Sequence, residues 1–217
     1  MKDQRVYEKK LESLYQDILE MGVRVKENII AAAKAFNQSN TNLAQNVITA
    51  DRVINDSEMS LEERVIQIIA LDHPVATDLR KLVAALKIIA HLERLGDHGV
   101  HIAKSVLKEV NIPEKYKEKF DIILEHVIRM IDDVLVAFLA GDENLALSVS
   151  KYDNIIDDEY DAILEMLFQE DPSGLTMQTI TSIMIIARYL ERSGDHIIHI
   201  CEWVVYAVKS THVELNQ

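Results

Sequence analysis

The chain has 217 residues, 48% of them hydrophobic and 27% charged, with only 6 glycines and 3 prolines. That composition excludes disordered, collagen-like and disulfide-stapled classes and favours long uninterrupted helices. Against 36 Asp and Glu stand 23 Lys and Arg, a formal charge of -13, so the surface repels phosphodiester backbones and no direct binding of nucleic acid is expected.

The single cysteine, Cys201, has no intrachain partner, and the opening MKDQRVYEKKLE lacks the apolar core of a signal peptide. A cytoplasmic protein is expected. No apolar run reaches the roughly 18 residues of a membrane span, because Lys87 interrupts the best stretch, Leu82 to Leu92. Contact with a membrane therefore has to pass through a partner or a surface patch.

Tyr7, Leu11, Leu14, Ile18, Met21, Val25, Ile29, Ala32 and Phe36 recur at spacings of three and four, the seam of a first long helix. Asn37 to Asn42 interrupts it, and Thr41 or Asn42 is placed to cap a second helix striped by Leu43, Val47, Ala50, Ile54, Leu61, Val65 and Ile68. That helix ends before His73-Pro74. A third runs from Ala76 to about Glu109, closed by Pro113. The fourth spans about Glu114 to Ala140 and stops at Gly141-Asp142. The fifth spans Glu143 to Glu170, before Pro172 and Gly174, and the sixth continues to the C-terminus.

The two halves match. An offset of 98 residues lays Leu92-Glu93-Arg94-Leu95-Gly96-Asp97-His98 on Leu190-Glu191-Arg192-Ser193-Gly194-Asp195-His196 with six identities in seven. It also pairs Pro74 with Pro172, Ile88 with Ile186, His101 with His199 and Ile102 with Ile200. Upstream, an offset of 102 pairs Asp51 with Asp153, Ile54 with Ile156 and Asp56 with Asp158. The reading is an all-α protein built as two tandem three-helix bundles related by internal duplication, residues 1–112 and 113–217.

The duplicated residues are chemical as well as structural. Glu93, Asp97 and His101 are spaced i, i+4, i+8, and Glu191, Asp195 and His199 repeat the pattern. The outer pair of each set lies about 12 Å apart along the helix, so one ion can be held by an i, i+4 pair but not by all three. Leu79, Val83, Leu86 and Ala90 lead into Glu93 and Asp97 on one stripe, where carboxylates need a cation, an arginine or open solvent. The preceding helices offer Asp51, Asn55 and Asp56 in one half and Asp153, Asp157, Asp158 and Asp161 in the other. Either cations bind these ladders, or the acids are solvated or salt-bridged, with Arg94 and Arg192 as internal counter-ions. Gly96 and Gly194, costly inside helices by about 1 kcal/mol, point to close helix crossings. Cys201 reads as core, and Trp203 as a core or dimer-contact aromatic. No Glu-x-x-His pair, phosphate-cradling loop, nucleophile elbow or Cys-x-x-Cys is present, so an enzyme is not expected.

The duplicated Leu-Glu-Arg-x-Gly-Asp-His segments, Asp78-Leu79-Arg80 after Pro74, and Asp51 and Asp153 on the preceding helices resemble the PhoU family of bacterial phosphate-transport regulators. The resemblance covers nearly the whole chain. It implies a cytoplasmic, dimeric negative regulator of the phosphate-starvation response. Such proteins act by contact with the ATPase of the high-affinity phosphate ABC transporter and with a sensor histidine kinase. It implies metal at the acidic motifs, one site from Glu93, Asp97, Asp51 and Asn55 and another from Glu191, Asp195, Asp153 and Asp157. Iron, zinc, manganese and magnesium all fall within its scope. The family usually carries Asn where His101 and His199 stand here, and a histidine ligand favours zinc or ferrous iron. Asp78 and Arg80 have no counterpart in the second half; with Arg94 and Arg192 they are candidate partner-binding residues. The alternative is a metal-free helical adaptor with the same partners. A metal-dependent hydrolase and a DNA-binding repressor have less support.

Overall fold

The structure, a computed structural model, describes residues 2–170 and 174–215. Its rods are α1 (Lys2–Asn37), α2 (Thr41–Asp72), α3 (Thr77–Val106), α4 (Glu114–Ala140), α5 (Glu143–Val149), α6 (Asp153–Phe168) and α7 (Met177–Lys209), with one 3-10 turn at Ser150–Tyr152. There is no strand among the described residues. α1, α2 and α3 form one three-helix bundle, and α4, the α5–α6 rod and α7 form the second. The bundles meet chiefly along α3 and α7, with α1 against α4 beside them. Among the described residues no helix is long and apolar enough to cross a membrane.

Each rod forms for a local reason. On α1 the predicted seam is the buried one: Leu14, Ile18, Met21, Val25, Ile29 and Ala32 are all excluded from water. Gly141 at φ 62 ends α4, and the next residue, Asp142, starts α5 by accepting hydrogen bonds from the Asn144 and Leu145 amides at 3.0 Å. Thr176 caps α7 through the Thr179 amide at 3.1 Å. Cys201 is buried, and burial pushes its thiol pKa up. Trp203 is half-buried, edge-on to Tyr206 and His212.

Several expected boundaries move. The cap of α2 is Asn40, not Thr41 or Asn42; its side chain accepts from the Leu43 amide at 3.0 Å. α3 starts at Thr77 and ends at Val106, a few residues short of Glu109. The fifth helix is not continuous: Ser148 and Ser150 donate to the carbonyls of Leu145 and Leu147, at 2.7 and 2.9 Å. Such back-bonding competes with the helical ladder and accounts for the 3-10 turn. The sixth helix does not reach the C-terminus. It stops at Lys209, where Ser210 turns left-handed at φ 63, and the tail folds back so that the Leu215 amide donates to Glu202 at 2.9 Å. Pro172, read as following the fifth helix and matching Pro74, lies outside the described residues.

α3 and α7 run antiparallel. As numbers rise along α3 they fall along α7: Lys87 lies over Trp203, His91 faces His199, His98 meets Ser193 and His101 stacks on Tyr189. Gly96 and Gly194 lie inside these helices and bring each against its own bundle's second rod. A Cβ on Gly96 would stand 3.2 Å from Asp51 Oδ1 and from two carbons of Ile54. A Cβ on Gly194 would overlap Asp153 Oδ1 and stand 3.3 Å from Ile156 Cδ1. Both crossings are closer than alanine allows without adjustment, and the second is the tighter. Alanine offers about 1 kcal/mol of helix propensity, while overpacking costs typically about 1–3 kcal/mol. Gly194→Ala should therefore lower the urea unfolding midpoint, and Gly96→Ala should lower it less; equal or raised midpoints for both would mean that the crossings can relax freely.

Candidate functional site

At the first crossing α2 lends Asp51 to a seam otherwise made of Ala44, Val47, Ile54, Leu61, Val65 and Ile68. Asp51 is only 7% exposed. Its Oδ2 receives a long hydrogen bond from Asn55 Nδ2 at 3.5 Å, while Oδ1, buried toward Gly96, receives none among the described residues. α3 brings Glu93 and Asp97 alongside. Burial, then the Asp97 charge, raises the Asp51 pKa. Glu93 is pushed up to about 7 by burial, then by Asp97 and Glu58. Arg94 reaches Asp97 at 3.4 Å and Glu93 at 3.6 Å, but it is an exposed side chain and only partly offsets the repulsion.

The second crossing repeats this arrangement. Asp153, 3% exposed, lies against Gly194, and α7 supplies Glu191 and Asp195. Burial and Asp195 raise the pKa of Asp157, and the same two causes raise Glu191. The counter-ion differs from the expected one. Among the described ion pairs Arg188 holds Glu191, with both carboxylate oxygens 2.9 Å from its Nη1, whereas Arg192 pairs with no acid there.

The structure thus brings Asp51, Asn55, Glu93 and Asp97 to one face and Asp153, Asp157, Glu191 and Asp195 to another. These acids do not continue a buried stripe. Leu79 is exposed, and Val83, Leu86 and Ala90 are half-buried like Glu93 and Asp97; the buried stripe of α3 runs through Leu82, Ala85, Ile88, Ile89, Leu92 and Leu95. Asp56 and Asp158 point to solvent, and Asp157, at the edge of the second face, is itself exposed. Among the described residues no three His, Cys, Asp or Glu side chains stand as a ready metal-binding group. Glu58 belongs with the first face, its pKa raised by burial, then by Glu62. Its signal was its place seven residues after Asp51 and three after Asn55.

His101 and His199 turn to the α3–α7 seam. His101 stacks flat on Tyr189, centroids 4.1 Å apart at 3°, and its pKa is lowered by burial and then by Lys104. His199 faces His91, with its Nδ1 3.0 Å from Glu202 Oε2. Between them lie His91, His98 and His196. Burial, and next the neighbouring imidazole, pull His91 and His196 down to about 4 and His98 down to about 3. Asp78 and Arg80 follow a strained turn with His73 at φ 48 and Ala76 at φ 44. Arg80 donates to Thr77 Oγ1 at 3.1 Å, and burial, then the Asp78 charge, raises the pKa of Tyr7.

With two repeats of carboxylates on glycine crossings in view, comparison with known proteins identifies the class. The PhoU domain matches at residues 18–106 and 120–204. The chain is 34% identical over 222 aligned residues to the phosphate-specific transport system accessory protein PhoU homolog of Clostridium acetobutylicum, covering 98% of each chain. It is 32% identical to the PhoU accessory protein of Escherichia coli, covering 92% of this chain and 83% of that one. The crystal structure of PhoU from Pseudomonas aeruginosa superposes with a TM-score of 0.88 at 32% identity, covering 94% of this chain and all of the other. The phosphate transport system regulatory protein PhoU of Streptococcus pneumoniae superposes with a TM-score of 0.86 at 28% identity, covering 96% and 99%. The chain belongs to the PhoU family.

The shifts give a pH signature. Glu93 holds its proton more tightly folded than unfolded, so its contribution to stability is full below its unfolded pKa, near 4.5, and is lost as pH rises through about 7. The neutral histidines act the other way, since unfolding lets them take protons below about 6.5. Comparing wild type with Glu93→Gln isolates the carboxylate. In urea titrations the variant should gain on wild type from pH 5 to about pH 7 and level off above it; a pH-independent difference would show Glu93 to be an ordinary solvated acid.

Proposed function

We propose that the protein is a non-catalytic negative regulator of phosphate uptake and of the phosphate-starvation response. It works in the cytoplasm as a homodimer, by contact with the ATPase subunit of a phosphate ABC transporter and with a sensor histidine kinase. Cations held at the two acidic faces set the shape and charge of the docking surface. The observation that carries this reading is a buried carboxylate lodged on a glycine crossing, built twice in a chain related over nearly its full length to phosphate-specific transport system accessory proteins.

The residues fit a cation. A buried Asp51 oxygen with no donor and a Glu93 pushed up to about 7 are both relieved by positive charge. Asp51, Asn55, Glu93 and Asp97 would hold it on one face, and Asp153, Asp157, Glu191 and Asp195 on the other. With His101 and His199 drawn to the seam, both sets are all-oxygen, which shifts the preferred ion from zinc toward magnesium, manganese or iron. A bound ion supplies charge neutralisation. Asp78, Arg80, Arg94 and Arg192 remain the candidate contacts for partners, and a partner's state changes only if this surface binds one state better than the other.

A metal-free adaptor has one observation in its favour: Arg94 and Arg188 already lie within salt-bridge distance of Glu93, Asp97 and Glu191. The double variant Asp97→Ala, Asp195→Ala separates the two. Elemental analysis of untagged protein and a phosphate-starvation reporter should show metal lost and the response derepressed. Normal metal and normal repression would refute the cation reading. Wild-type protein that still captures the transporter ATPase after chelator treatment would establish the adaptor.

A further inference from the structure

The α3–α7 seam holds a group of imidazoles that the acidic faces do not use. Nδ1 of His91 and Nδ1 of His196 stand 3.0 Å apart. The ring centroids are 5.3 Å apart for His91 and His196, 5.2 Å for His91 and His199, and 6.2 Å for His196 and His199. Three imidazoles bound tetrahedrally to one zinc, at about 2.0–2.1 Å per bond, place their nitrogens about 3.3 Å apart and their centroids about 5 Å apart. We propose that His91, His196 and His199 form a transition-metal site for one zinc-class divalent ion, distinct from the carboxylate faces.

Hydrogen bonding fixes which nitrogens are available. Glu202 can only accept, so His199 Nδ1 carries the proton toward it at 3.0 Å and Nε2 keeps its lone pair. That is the carboxylate–histidine pairing that orients metal-binding imidazoles. Between His91 and His196 one nitrogen donates and the other accepts; for both Nδ1 lone pairs to reach a metal, the donating ring gives its Nδ1 proton to solvent and takes one up at Nε2, so that both rings stay neutral and no net proton is released. The donors do not converge as the rings stand. His199 must turn its Nε2 inward, and its side chain, 46% exposed, has room to do so. Its exposure also leaves a fourth position for water. Lys87, Arg94 and Arg192 oppose the ion, while Asp195 beside His196 and Glu202 beside His199 favour it.

The duplication explains why there is one such site rather than two. Under the 98-residue offset His98 matches His196 and His101 matches His199, but Tyr189 stands where His91 stands. The equivalent position is therefore a stacked Tyr189–His101 pair. On that side His98 Nδ1 lies 3.1 Å from the Ser193 hydroxyl, which itself donates to the Tyr189 carbonyl at 2.7 Å.

Cobalt(II), added to chelator-stripped full-length protein, reports the site directly. Wild type should take up one ion with the intense visible absorption of a four-coordinate, nitrogen-rich centre, and zinc should abolish that absorption. The Asp97→Ala, Asp195→Ala variant should keep it, which separates this site from the acidic faces. His91→Ala should lose it. His199→Gln, at an exposed position where circular dichroism should stay unchanged, should also lose it, and Glu202→Gln should weaken binding about 10–100-fold. Only weak octahedral bands in wild type, or an intense band that survives in His199→Gln or disappears in the acidic double variant, would overturn the proposal.

Discussion

Two helix crossings, each opened by a glycine, govern the chemistry of the acidic faces. Gly96 and Gly194 forgo about 1 kcal/mol of helix propensity apiece, and in return α2 and α6 come close enough to press Asp51 and Asp153 against the neighbouring helix. A core designed for stability would place an apolar group there, because a buried polar group without full partners costs on the order of 1–3 kcal/mol or more. Both repeats bury a carboxylate at this crossing. Burial of Asp51 raises its own pKa, its charge contributes to raising that of Glu93, and Asp157 and Glu191 respond to Asp195 in the same sense.

The internal arginines do not remove these shifts. Arg94 is exposed and divides itself between Glu93 and Asp97, and Arg188 is spent on Glu191 alone. Exposed ion pairs of this type contribute roughly 0–1 kcal/mol. On the first face Asp51, Glu58, Glu93 and Asp97 gather around Arg94, with Lys104 contributing at Asp51; on the second, Arg188 and Arg192 both act on Glu191. The chain as a whole carries a net charge of -13, so the rest of the surface supplies no excess of positive charge to offset the carboxylates.

The helical rods and the duplication were legible because they rest on periodicity, and periodicity survives in a single sequence. The glycine crossings were legible because glycine inside a helix needs a reason. What sequence spacing does not carry is the direction of a side chain relative to a second helix. His101 and His199 share an i, i+4 spacing with the acids but turn toward α7 and α3, where Tyr189 and His91 offer flat rings to pack on. Arg192 matches Arg94 in the repeat, but Arg188, one turn earlier, does the pairing. The break at Ser150–Tyr152 depended on two serine hydroxyls choosing carbonyl partners, a local competition that an apolar stripe does not record. His91 has no duplicated partner, since Tyr189 stands at the equivalent position, so the repeat does not mark it although it lies in the seam.

Asp97 and His98 are consecutive, as are Asp195 and His196, and consecutive residues on a helix point about 100° apart. Each of α3 and α7 therefore presents a carboxylate to the groove of its own bundle and an imidazole to the sister repeat. Because the two helices are antiparallel, the contact between His91 and His196 is mirrored by that between Tyr189 and His98, at 5.3 Å in both cases. A helix that shifts to close around charge at its acidic face must carry its imidazoles against the other repeat, and close-packed interiors do not absorb such shifts locally. The seam is where the two repeats pack along α3 and α7, and it is asymmetric, with His91 on one side and Tyr189 at the equivalent place on the other.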